Sequence, residues 1–147
     1  MQALIVDAGV LYSTADSADP DHHAALFTLQ DWPGELIVPA FVAAEADHLI
    51  HSRLGIDAEL AFLDGLASDC SLPTLDARQL KRAKDICARY RSLELGLADA
   101  SIVVLADQSS THILATFDQR HFRAVTALDG HPFTLLPPDA EQESSIG

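Results

Sequence analysis

Four acidic residues stand where carboxylates are hard to explain as solvated surface charge alone. Asp7 directly follows the apolar run Ala3 to Val6, and Asp118 follows a second run, His112 to Thr116. Either one, taken singly, reads as an ordinary turn aspartate. Taken together, they place two carboxylates on the same edge of one sheet if both runs are strands. Glu45 has Phe41 and Val42 one turn before it and Leu49 one turn after it, spacings that share a helix face. It therefore projects from an apolar stripe, unless it lies on the border of the stripe and reaches water. Asp99 occupies the first turn of a helix and shares its face with Ile102 and Val103. Aspartate is favoured at helix N-termini for its own sake. Here the small or apolar neighbours Leu97, Ala98 and Ala100 also leave room for a ligand.

Carboxylates gathered without a cation repel one another, and at least one is driven to keep its proton. Hard cations such as Mg²⁺ and Mn²⁺ prefer carboxylate oxygen and water. An ion held this way activates water and neutralises charge on a phosphoryl group, and one metal or two would serve. Asp47 shares a helix with Glu45 but falls on a different face, which makes it a secondary candidate with solvent as its simpler partner.

The elements that position these acids follow from the pattern. Ala3–Val6 and Leu36–Val38 read as buried strands, as do Leu72–Leu75, His112–Thr116 and Phe133–Leu136. Helices are expected at Val10–Ala15, His22–Gln30, Pro39–Leu54, Ile56–Ser68, Asp76–Ser92 and Ala98–Gln108, with one helical turn at Gln119–Ala124. Trp32-Pro33-Gly34 and Gly55 act as breaks, Pro39 suits a first helical turn, and Asp76 with Gln79 resembles a capping box. Strands alternating with helices imply an α/β fold with a parallel sheet covered on both faces. Ligands of such sheets bind outside the carboxyl ends of the strands, where Asp7 and Asp118 lie.

The chain has 147 residues, enough for one domain, and its nine basic against 22 acidic residues give a formal charge of −13. A charge of that sign argues against a simple electrostatic binder of a polyanion. MQALIVDAG does not read as a secretion signal, and no apolar run approaches a membrane span. Cys70 and Cys87 form no CxxC, so a cytoplasmic setting with two structural thiols is expected. The domain is expected to occupy 1–137, and 138–147 to be a disordered acidic tail.

The acids recur in order as IVDAG, PAFVAAEADHLI, LGLADASIVVLA and ILATFDQRHF. This arrangement resembles the PIN domain, and within it the VapC ribonuclease toxins of bacterial toxin–antitoxin pairs. The resemblance runs from Ala3 to Pro137. It implies a three-layer α/β/α sandwich with a central parallel sheet, and cleavage of RNA that depends on Mg²⁺ or Mn²⁺. Asp7, Glu45, Asp99 and Asp118 would be the catalytic and metal-binding acids. It further implies a homodimer and inhibition by a small VapB-type antitoxin, whose C-terminal segment can plug the acidic pocket, often with an arginine. Many relatives carry a hydroxyl directly after the first aspartate, where this chain has Ala8-Gly9. Thr116 matches the family hydroxyl two residues before Asp118, and the fourth acid often acts through water.

Six of the nine basic residues (Arg78, Lys81, Arg82, Lys84, Arg89 and Arg91) fall in one helical segment. They form either a solvated face paired with nearby acids or a local track for phosphates. Arg120 is the best single candidate for a phosphate contact because it lies close to Asp118, and His121 either contacts RNA or packs. Ser13 and Ser101 lack the partners of a hydrolase triad. Two other functions compete. One is a catalytically silent PIN fold that binds RNA or protein. The other is an aspartyl-phosphate receiver or phosphohydrolase, which needs a late lysine that this chain lacks beyond Asp99.

Overall fold

The computed structural model describes residues 1–140. Four short strands form one all-parallel sheet in the order β2-β1-β3-β4, where β1 is Leu4–Val6, β2 Leu36–Ile37, β3 Ile113–Ala115 and β4 Thr134–Leu136. The register pairs Ile5 with Ile37 on one side and with Leu114 on the other, while Leu114 pairs with Leu135. Successive strand residues point to opposite faces. Leu4, Ile5 and Val6 are nonetheless all buried, so helices cover both faces and the molecule is a three-layer α/β/α sandwich.

The helices are α1 (Ala8–Ala15), α2 (His22–Asp31), α3 (Ala40–Leu54), α4 (Ile56–Asp69), α5 (Ala77–Arg89), α6 (Leu97–Gln108) and α7 (Gln119–Ala124). Every residue from Ala100 to Ala106 is buried, which makes α6 the central core helix. It packs against α3 and α5. By contrast, α5 buries only Gln79, Ala83 and Ile86 and keeps its charged residues outward. The Asp76–Gln79 capping box forms, with Gln79 N–H to Asp76 at 2.9 Å and Asp76 N–H to Gln79 at 2.8 Å. Gly55 separates α3 from α4 at φ 93°, a conformation that favours glycine.

Three local expectations are corrected. Leu72–Leu75 is not a strand. Only Ser71 bridges to Ile37, and the pairing stops at Pro73, which has no N–H to donate and is used through its carbonyl by Ala40. The long helix ends at Arg89 rather than Ser92, because the chain tightens into a 3-10 turn at Arg91–Leu93 and Glu94 turns left-handed at φ 54°. The first helix starts at Ala8, two residues before Val10, because Asp7 caps it. Beyond β4, Asp139 is buried and bound by Arg123 at 2.7 and 3.1 Å, and it accepts the Leu135 N–H at 2.7 Å. The rest of the expected acidic tail, 141–147, lies outside the described residues.

Candidate active site

Asp7 is the single residue between β1 and α1, and its N–H still donates to the Ala115 carbonyl of the neighbouring strand at 2.9 Å. Its carboxylate is fixed from two sides. One oxygen accepts the Ala8 N–H at 2.8 Å, and the other accepts the Thr116 hydroxyl at 2.7 Å. Thr116 is wholly buried one residue beyond β3. Its oxygen also accepts the Asp118 N–H at 3.0 Å. Asp118 in turn caps α7 by accepting the His121 N–H at 3.1 Å. A continuous relay of hydrogen bonds therefore runs Asp7–Thr116–Asp118–His121 across the carboxyl ends of β1 and β3.

Asp99 enters from the first turn of α6, where the N-cap Gly96 makes no side-chain capping bond. His121 lies between the acids, with Nδ1 2.9 Å from an Asp118 oxygen and 3.5 Å from an Asp99 oxygen. Neither contact has hydrogen-bond geometry, and this buried nitrogen is left without a partner. Asp99, Asp118 and His121 each present a ligand atom within 4.8 Å of the others.

The electrostatics bind the four acids into one unit. Burial pushes the Asp7 carboxyl up, opposed by the hydrogen bonds from Thr116 and Ala8, while Asp118 adds to the rise. Asp99 is pushed up to about 6, first by burial and then by Asp7, with Asp118 and Glu45 adding and His121 opposing. Glu45 is also raised, by desolvation and then by Asp7. It does not project from the middle of an apolar stripe. The buried face of α3 is Val42, Ala46 and Ile50, and Glu45 sits exposed at its border, on the rim of the acid cluster.

The donor set suits a hard divalent cation. Asp99 and Asp118 supply oxygens close to the unpartnered imidazole nitrogen, Asp7 is tied to Asp118 through Thr116, and a bound cation would offset the burial and the mutual repulsion that raise Asp7, Asp99 and Glu45. Each bonded oxygen of Asp7 keeps a further lone pair for a metal.

The remaining candidates separate. Asp47 faces α4, where the neighbouring Glu59 carboxyl raises its own, its buried Oδ1 has no hydrogen-bond partner, and Glu59 also contacts His51 at 2.9 Å. It stands apart from the acid cluster. Arg120 is exposed on α7, and no ion pair engages it among the described residues. On α5, Arg82 pairs with Asp107 at 3.2 Å, as a solvated face would. The C-terminal half of that helix still approaches the site: burial first, and then the Asp99 charge, raise the Cys87 thiol. Ser13 and Ser101 are tied to Asp19 and to the Ala98 carbonyl, away from any nucleophilic role. His121, which the sequence leaves between RNA contact and packing, instead lies among the acids. Its signal was its position three residues after the cap Asp118. A cavity of about 600 Å³ lies elsewhere: an apolar groove among α1, α2 and α4, lined by residues such as Leu11, Leu26, Leu29 and Phe62 and by none of the four acids.

The chain belongs to the PIN domain family, whose profile matches residues 4–128. It is 38% identical over 135 residues to Ribonuclease VapC26 of Mycobacterium tuberculosis, covering 91% of this chain and all of that one (100%). Among solved structures it resembles Mycobacterium tuberculosis VapC20, described as a Sarcin-Ricin loop cleaving toxin. The TM-score is 0.73 at 18% identity, over 79% of this chain and 90% of that chain. It also resembles VapBC2 from Rickettsia felis bound to a promoter DNA fragment, with a TM-score of 0.67 at 12% identity, over 91% of this chain and 98% of that chain. At these identities the structural likenesses establish the fold, and the expected PIN sandwich is borne out.

Proposed function

We propose that this protein is a divalent-metal-dependent endoribonuclease of the VapC type, held in check by a VapB-type antitoxin. The observation that carries the reading is the cluster itself. Asp99 and Asp118 meet His121 at the carboxyl edge of the sheet, Asp7 is joined to them through the Thr116 hydroxyl, and Asp99 is raised to about 6 by burial and its fellow acids. The identity to a named ribonuclease over nearly the whole chain supports the substrate class.

Asp7, Asp99 and Asp118 would hold Mg²⁺ or Mn²⁺, with Glu45 at the rim. When bound, the ion supplies charge neutralisation at the phosphoryl group and activation of water. Thr116 holds the Asp7 carboxylate and the Asp118 backbone in one orientation. Arg120, exposed on α7 two residues after Asp118, would bind an RNA phosphate. Asp47, engaged by Glu59, takes no part in the pocket.

The antitoxin reading draws on solved relatives that are toxin–antitoxin complexes. A chain of formal charge −13 suits a cationic segment inserted among the acids, and the apolar groove beside α4 offers area for its non-polar part. A homodimer and a cytoplasmic location complete the proposal. No helix among the described residues is long and apolar enough to cross a membrane.

The deciding experiment incubates the purified chain with RNA in Mg²⁺ or Mn²⁺, with chelator, and as Asp99→Asn. Cleavage that requires metal and vanishes in the folded variant is the expected result. Undiminished cleavage by Asp99→Asn removes the site assignment, and no cleavage of any RNA by the parent favours the silent PIN fold instead. The aspartyl-phosphate reading has no support from the fold, since both lysines, Lys81 and Lys84, lie on α5.

A further inference from the structure

A second group of metal-ligating side chains lies at the opposite end of the sheet. His112 immediately precedes β3, whereas the acids of the candidate active site follow the strands. Asp129 and His131 belong to a small hairpin closed by the Thr126–Pro132 bridge, with Gly130 N–H to the Ala127 carbonyl at 2.9 Å and Ala127 N–H to the His131 carbonyl at 2.9 Å. Gly130, at φ 89°, makes the turn possible.

Both imidazoles face the same carboxylate. His112 Nε2 is 2.6 Å from one Asp129 oxygen, and His131 Nδ1 is 3.2 Å from the other. The two rings lie 5.1 Å apart, and one ligand atom from each residue falls within 4.8 Å of the other two. The backbones beneath are fixed. His112 N–H donates to Gln2 at 2.9 Å, and its carbonyl accepts the Thr134 N–H at 2.8 Å. The His131 N–H orients the Asp129 carboxylate at 3.0 Å. That bond, and then the one from His112, hold Asp129 down to about 2, so it is a carboxylate at any ordinary pH. A hollow of about 140 Å³ beside His112 and Asp129 leaves space for water on an ion.

We propose that His112, Asp129 and His131 form a transition-metal site, independent of the acidic pocket, that binds Zn²⁺ or a similar borderline ion and ties the 126–132 hairpin to the start of β3. Two imidazoles and one carboxylate are a donor set for zinc, nickel or copper rather than magnesium. Three protein ligands leave the fourth position to water. The hydrogen-bonded His112–Asp129 contact opens slightly to admit the ion, since zinc ligands at about 2.0–2.2 Å from the metal stand farther apart than 2.6 Å.

The test uses tag-free full-length protein with millimolar Mg²⁺ present, and compares Zn²⁺ uptake by the parent, His131→Ala, Asp129→Asn and Asp99→Asn. The parent and Asp99→Asn should each take one equivalent more than His131→Ala and Asp129→Asn. In the parent, Zn²⁺ should shift the ring protons of His112 and His131 together and raise the melting temperature more than in His131→Ala. His131 is the most exposed of the three, so its alanine variant should fold and keep its RNA cleavage unchanged. Equal uptake by the parent and both hairpin variants overturns the proposal. So does loss of the extra equivalent in Asp99→Asn, which would place the ion among the acids. Failure of RNA cleavage by the parent would bear only on the proposed function and leave this site standing.

Discussion

Asp99→Asn should make the metal-free protein more stable while ending its activity. Moving the Asp99 carboxyl from its ordinary 3.8 to about 6 corresponds to about 3 kcal/mol at roughly 1.4 kcal/mol per tenfold change in proton affinity. The side chain is 22% exposed, so solvent screens the interaction only in part. The sign follows from linkage. A carboxyl raised in the folded state favours folding of its protonated form, and that contribution is present below the unfolded value. It is lost as pH rises through the folded value, so the penalty grows between about 4 and 6 and is full at pH 7. Asparagine never carries the charge. Burying its amide costs part of the gain, which leaves about 1–2 kcal/mol, or a rise of several degrees in melting temperature. The assay is thermal unfolding in chelator at pH 4.5 and pH 7.5, repeated at pH 7.5 with Mg²⁺ or Mn²⁺. The variant should melt higher than the parent at pH 7.5, the gap should shrink at pH 4.5, and metal should stabilise the parent more. A variant that melts no higher at pH 7.5 and responds equally to metal refutes the shared acidic pocket.

Thr116→Val keeps the volume but leaves the Asp7 oxygen and the Asp118 N–H without their partner. It should cost about 1–3 kcal/mol in urea unfolding and weaken Mg²⁺ or Mn²⁺ binding, and unchanged metal affinity would disprove the orienting role. Arg120→Ala should raise KM for RNA with little change in kcat, and flatten the salt dependence of binding by about one phosphate contact; a drop in kcat alone would contradict it. Asp139→Asn should lower the urea midpoint at pH 7. The Arg123 guanidinium holds the Asp139 carboxyl below its ordinary range, so the parent's advantage is present above the unfolded value and should vanish as pH falls through the folded one. A gap that persists at pH 2 would show that charge is not the cause.

The sheet and the acids at its carboxyl edge were readable from the chain because they depend on local pattern. Buried parallel strands are continuous apolar runs, and a carboxylate that directly follows one must lie at its carboxyl end. The correction at Leu72–Leu75 came from a single residue. The apolar character there is strand-like, but Pro73 removes a donor from the ladder and only Ser71 pairs. Asp47 was ambiguous for a different reason: its partner Glu59 is on α4, and only the packing of α3 on α4 brings the two together.

His121 shows most clearly what a linear reading misses. Its imidazole lies between Asp99, on α6, and Asp118, the cap of α7, and these elements meet only after the sheet has formed. The pattern D-x-x-H showed one half of that contact and nothing of the other. Glu45 is the converse case. Helical periodicity put it near an apolar face but could not separate the middle of the stripe from its border, a difference of one helical position. The border location has a consequence for the site. Asp7 is buried, Asp99 is intermediate and Glu45 is exposed, so the cluster grades from the sheet edge out to solvent. Burial comes first in raising each of the three carboxyls, and the buried Asp7 adds to the rise of both Glu45 and Asp99. Removing Glu45 should therefore affect Asp99 less than removing Asp7 does, because the exposed charge acts through more water and stands last among the causes of the Asp99 rise.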